Sequence, residues 1–70
     1  MDDLKLFYKV FLTVSERKSS SGKNYTCFML FRDYGYKTEV ISFDVSFISE
    51  ALGISVAELR FLKFGTYSIN

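Results

Sequence analysis

Four residues near the start of the chain, Lys5, Phe7, Lys9 and Phe11, alternate a positive charge with an aromatic ring. In an extended strand this alternation puts all four side chains on one face. Such a face suits a single nucleic-acid strand: ammonium groups meet phosphates, and rings stack on bases at roughly 1–3 kcal/mol per base. A second basic group lies in the stretch RKSSSGKNY, residues 17–25, where Arg17, Lys18 and Lys23 flank small polar residues. A flexible loop of this make-up can close over a nucleic-acid backbone, its charges releasing counterions as they meet phosphates. Tyr25, Arg32, Tyr34, Tyr36 and Lys37 supply further rings and charges on or beside the neighbouring strands.

Other chemistries find little in the sequence. Histidine is absent, which removes the commonest general base near neutral pH and the commonest zinc ligand. The serines therefore have no histidine to activate them. Asp33, Glu39, Asp44, Glu50 and Glu58 fall where turns, caps and helix surfaces already explain them. The tetrapeptide SGKN lacks the earlier glycine and the following Ser/Thr of a phosphate-binding loop, and no helix follows it. Cys27 is the only cysteine, so no intramolecular disulfide forms; mid-strand, it is expected in the core as a small hydrophobe. The sequence predicts a binding protein with no enzymatic activity, metal or cofactor.

Charge is distributed unevenly. The net charge is only +1. Residues 4–38, however, hold seven basic residues (Lys5, Lys9, Arg17, Lys18, Lys23, Arg32, Lys37) against Glu16 and Asp33, a net +5. Residues 39–70 hold Arg60 and Lys63 against Glu39, Asp44, Glu50 and Glu58, a net −2, and Asp2 with Asp3 contribute the other −2. A basic half hidden in a near-neutral chain is expected of a polyanion binder with one working face.

The elements that must position these residues follow from periodicity. Leu4, Leu6, Tyr8, Val10, Leu12 and Val14 alternate with Lys5, Phe7, Lys9, Phe11, Thr13, Ser15 and Arg17, which predicts a long strand with the first set facing the core. Ser19 to Gly22 form a turn. Residues 23–34 predict a central strand, with Tyr25, Cys27, Met29 and Phe31 on one side and Thr26, Phe28, Leu30, Arg32 and Tyr34 on the other. Gly35 marks a second turn and residues 36–43 a third strand. Asp44 is an N-cap for a helix carrying Val45, Ile48 and Leu52 and ending at Gly53. Ser55 and Glu58 have the spacing of a capping box, which can open a further helical turn with Leu59 and Leu62. Gly65, Tyr67 and Ile69 suit a closing strand that pairs back on the sheet.

Seventy residues make one domain, 1–70, with a thin core, because a chain this short buries only about 60% of its unfolded surface. With no disulfide or histidine-based metal site, self-association is the expected source of extra stability, and a homodimer is the default. The N-terminus lacks the features of a secretory signal, no apolar run approaches a membrane span, and a lone thiol suits a reducing compartment. A soluble cytoplasmic protein is expected.

The long first strand LKLFYKVFLTVSER, the basic loop KSSSGKNY, the aromatic strand YTCFMLF, the strand YKTEVISFD leading into a helix and the closing GTYSI together resemble the small single-stranded-DNA-binding proteins of phages and mobile elements. The resemblance implies a mainly β fold: an OB-like five-stranded barrel or curled antiparallel sheet with one short helix, serving DNA replication. It also implies that the aromatics of the first three strands, Phe7, Phe11, Tyr25, Tyr34 and Tyr36, stack on bases while the hairpin loop contacts the backbone. Single-stranded DNA is the expected partner, with RNA as the variant. Two alternatives accompany this reading. The aromatic face could be a homodimer or protein interface, or ISEALGISVAELRFLKFG, residues 48–65, which resembles a helix-turn-helix, could bind duplex DNA.

Overall fold

The computed structural model describes residues 7–69. Strands β1 (Lys9–Lys18), β2 (Asn24–Asp33) and β3 (Thr38–Ser42) form an antiparallel meander, helices α1 (Val45–Leu52) and α2 (Val56–Arg60) follow, and β4 (Gly65–Ser68) returns to the sheet. The strand order is β3-β2-β1-β4. The two ten-residue strands thus occupy the centre, and β4 pairs antiparallel with β1 through Phe11↔Ser68 to Val14↔Gly65.

Alternation along β1 fixes which face is inside. Leu12 pairs with Leu30 and Val14 with Phe28, and these four with Ile48 of α1 and Leu59 of α2 form the buried core. Each such side chain contributes about 1.5–3 kcal/mol on burial. Val10, Ile41, Val45, Leu52, Ile54, Leu62 and Tyr67 pack around them. Both helices therefore lie on the even-numbered face of β1 and β2, and the odd-numbered face points away from them.

The helices begin and end where their caps dictate. The Asp44 side chain accepts from Ser46 N–H (3.2 Å) and opens α1. Gly53, at φ 72, closes it, with its N–H donating to Glu50 O and the Ile54 N–H to Ser49 O, a pairing that satisfies two otherwise orphaned carbonyls. At α2 the Ser55 hydroxyl accepts from Glu58 N–H (3.0 Å) while the Glu58 carboxylate accepts from Ser55 N–H (2.9 Å). That reciprocal box explains why the fold carries two short helices where one was expected.

Closure of the sheet differs from expectation. The described residues form an open four-stranded sheet, not a five-stranded barrel: β3 and β4 are its two edges. Barrel closure requires the edges to meet through strand tilt and stagger. Here they are separated by the width of β1 and β2, and are only five and four residues long, while both helices pack on one face of the sheet. Cys27, expected in the core, instead pairs with Ser15 on the face turned away from the helices and is half-buried. The register that sends Phe28 and Leu30 inward sends their odd-numbered neighbours outward.

Candidate nucleic-acid interface

The face of the sheet opposite the helices assembles much of the predicted site. Lys9, Phe11, Thr13, Ser15 and Arg17 of β1 lie opposite Asp33, Phe31, Met29, Cys27 and Tyr25 of β2. The Phe11 and Phe31 rings stack, with centroids 5.7 Å apart and planes 29° from parallel. Val40, paired with Phe31 on its other side, extends the apolar strip and is 50% exposed. Lys9 and Arg17 are exposed toward the two ends of β1, and Tyr25, 50% exposed, pairs with Arg17. Among the described residues no second layer covers this face, since the core elements all lie on the other.

Beyond β4 and β3 the β1–β2 hairpin continues as a two-stranded arm, because β4 reaches only to Val14 and β3 only to Leu30. Lys18 and Lys23 flank its tip. The stretch expected to be a flexible loop is a closed turn: Ser19 N–H donates to Lys23 O (2.8 Å), Gly22 N–H to Ser19 O (2.9 Å) and Lys23 N–H to the Ser19 hydroxyl (3.2 Å). The Ser19 and Ser21 hydroxyls also share a hydrogen bond (2.9 Å). Gly22 sits at φ 87, a conformation that costs other residues strain. The three charges of RKSSSGKNY are therefore held on ordered backbone, Arg17 and Lys18 at the end of β1 and Lys23 at the closed turn.

The remaining predicted residues gather elsewhere. Arg32 shares the inward-facing register with Val10, and its guanidinium sits 5.4 Å from the Tyr8 ring centre. Tyr8 meets Tyr34 edge-on at 5.4 Å, and Tyr34 meets Tyr36 at 6.2 Å. Lys37 lies 5.4 Å from the Tyr34 ring centre and 5.9 Å from that of Tyr36. Glu39, absent from the sequence-derived site, organises this cluster: it accepts a hydrogen bond from the Tyr34 hydroxyl (3.1 Å) and pairs with Lys37 (3.4 Å) and Arg32 (3.8 Å). The hydrogen bonds from Tyr34 and Lys37, then the Lys37 and Arg32 charges, hold its carboxyl below the ordinary carboxylate value. Partial desolvation and the bond to Glu39 push the Tyr34 phenol above its usual value. Glu39 partly neutralises two of the seven basic residues; its position two residues after Lys37 was the available sequence signal.

Lys5 lies outside the described residues. Phe7, 70% exposed, borders a groove with Tyr8, Lys9, Asp33, Tyr34 and Gly35 at the end of the sheet. The predicted site thus divides between an outer face with its basic arm (Lys9, Phe11, Arg17, Lys18, Lys23, Tyr25) and an end cluster (Arg32, Tyr34, Tyr36, Lys37). Phe31, Met29 and Val40 are outer-face residues that sequence reasoning missed, since their face is set by register with β1.

Comparison of the chain with protein-family models, curated proteins and solved structures found no match. Among the described residues no three His, Cys, Asp or Glu side chains come together to hold a metal ion. No helix among them is long and apolar enough to cross a membrane.

Proposed function

We propose that this protein binds single-stranded nucleic acid, DNA in the first instance, on the open face of its sheet and with little sequence preference. The observation that carries the reading is the half-buried Phe11–Phe31 stack, set between Lys9 and Arg17 on the sheet face that no other described element covers. Rings on a flat β-surface present π-faces to successive bases, and flanking cations meet the phosphates. The Arg17, Lys18 and Lys23 arm extends the positive track beyond the body of the sheet. The likeness to small OB-type phage and mobile-element proteins motivates the same reading, yet the reading does not need a barrel: an open sheet offers the same stacking surface. The residues suit binding without catalysis, and a free Cys27 thiol suits the cytoplasm.

The test is titration with a 20-nucleotide oligo-thymidine and a duplex of equal length at two salt concentrations, followed by intrinsic tyrosine fluorescence, which the absence of tryptophan leaves readable. Stronger quenching by the single strand, weakening with salt, is expected. Binding by neither would sink the reading.

A second reading, self-association through the same face, is favoured by Met29, Cys27 and Val40, which make the strip between the charges apolar. Sedimentation of the free protein separates the two, because a homodimer closed over this face would dissociate or fail to bind when oligonucleotide is added. The helix-turn-helix alternative has less support. α2 spans five residues, its Leu59 is spent in the core, and its exposed positions are Ala57, Glu58 and Arg60.

A further inference from the structure

The groove at the end of the sheet lies where the start of β1 meets the β2–β3 turn, and it has a volume of about 470 Å³. That is within the range of small-ligand sites, about 300–1,000 Å³. Among its lining residues Phe7 stands open to solvent, whereas the Tyr8 and Tyr34 rings brace each other edge-to-face beside Arg32 and Glu39. Two residues of opposite charge also line it, Lys9 and Asp33, cross-strand partners on β1 and β2. Asp33 is held in place, because its Oδ1 accepts the Gly35 N–H at 2.8 Å in the turn that Gly35, at φ 95, allows. A carboxylate oxygen has a second lone pair, and the other oxygen is not used by that bond.

We propose that this groove selects guanine from a bound single strand, in preference to thymine. The proposal rests on the single-strand reading above and adds a base preference to it. A carboxylate only accepts hydrogen bonds and an ammonium only donates them. Side by side, they match an edge with two adjacent donors and a neighbouring acceptor. Guanine presents that edge, with its ring N–H and amino group toward Asp33 and its carbonyl toward Lys9. Thymine presents one N–H between two carbonyls, one of which would face the Asp33 carboxylate. Adenine and cytosine each offer one amino group and fall between. The exposed Phe7 ring can stack on any base and so supplies affinity without choosing among them.

The test compares fluorescence-anisotropy titrations of oligo-thymidine 20-mers with and without three central guanosines, using wild type and Asp33→Asn. The asparagine keeps a carbonyl oxygen for the Gly35 N–H but loses the carboxylate. Asp33→Ser, whose hydroxyl can close the same kind of turn, is the second variant should the first fail to fold by circular dichroism. Wild type is expected to bind the guanosine-containing strand at least about fivefold more tightly, the low end for one good bidentate base contact. In the folded variant the ratio should fall to about one. Equal binding of both strands by wild type would overturn the selection and leave the single-strand reading standing, whereas binding of neither would overturn both. A guanine preference that persists in a folded variant would overturn the role given to Asp33.

Discussion

Replacing Phe11 and Phe31 together by leucine separates binding from folding on the outer face. Leucine keeps most of the apolar area that each half-buried ring covers but removes the π-face. The stacked pair, 5.7 Å between centroids, is worth about 0.5–1.5 kcal/mol beyond its buried area. In a domain this small each kcal/mol moves Tm by about 4–8 °C, so Phe11→Leu/Phe31→Leu should melt lower by roughly 2–12 °C and remain folded. Binding should suffer more. Stacking contributes about 1–3 kcal/mol per base against alanine, and leucine retains some contact. The lower end for each of two rings gives about 2 kcal/mol, close to a 30-fold loss at 1.4 kcal/mol per decade. Anisotropy of labelled oligo-thymidine at 50 mM salt or so, with a thermal melt of the same sample, measures both quantities. A folded double variant that binds within twofold of wild type would refute the assignment of these rings as base platforms. Leu12→Ala provides the contrast: Leu12 is fully buried, so its truncation costs about 2–5 kcal/mol, and any loss of binding there should accompany loss of the cooperative melt.

Neutralising the arm with Arg17→Ala, Lys18→Ala and Lys23→Ala should lower the slope of log affinity against log salt by about 2, at about 0.7 per phosphate contact on a single strand, with no change in Tm beyond a few degrees; an unchanged slope would remove the arm from the interface. Glu39→Gln tests the end cluster through pH. The folded carboxyl lies below its ordinary value, so its stabilisation is full above the ordinary carboxylate range and is lost as pH falls through the lower folded value. Wild-type Tm should therefore fall more steeply than that of Glu39→Gln between pH 5 and pH 3 or thereabouts, and parallel curves would contradict the pairing with Tyr34 and Lys37. Ser55→Ala removes one half of the α2 capping box and should cost about 1 kcal/mol in denaturant unfolding, leaving oligonucleotide affinity unchanged at temperatures where the variant is folded.

The order of elements was legible in the sequence because local signals set it. The alternation of β1, Asp44 and Gly53 around α1, the Ser55–Glu58 box and the glycines of the two hairpin turns each act over a few residues, and each appears in the structure where its chemistry puts it. The inward set of β1 was legible for the same reason, since as far as Val14 only one of its faces is free of charge. The division of the candidate site was not. Sequence reasoning treated Arg32, Tyr34, Tyr36 and Lys37 as companions of Phe11. Both faces of β2 are rich in apolar and aromatic residues, so periodicity alone could not decide which set meets the helices.

Pairing decided it. Once Leu12 faces Leu30 and Val14 faces Phe28, every odd-numbered residue of β2 joins Lys9, Phe11 and Arg17 on the open face. Arg32 is left on the other side, with Glu39 opposite. The openness of the sheet is likewise tertiary, because it depends on the helices crossing one face and on β3 and β4 finding different neighbours. The sequence by itself determined the strands, the caps and the turns, whose energies are local. Only the tertiary structure determined the register, the uncovered face and the groove at its end, because these depend on contacts between residues far apart in the chain.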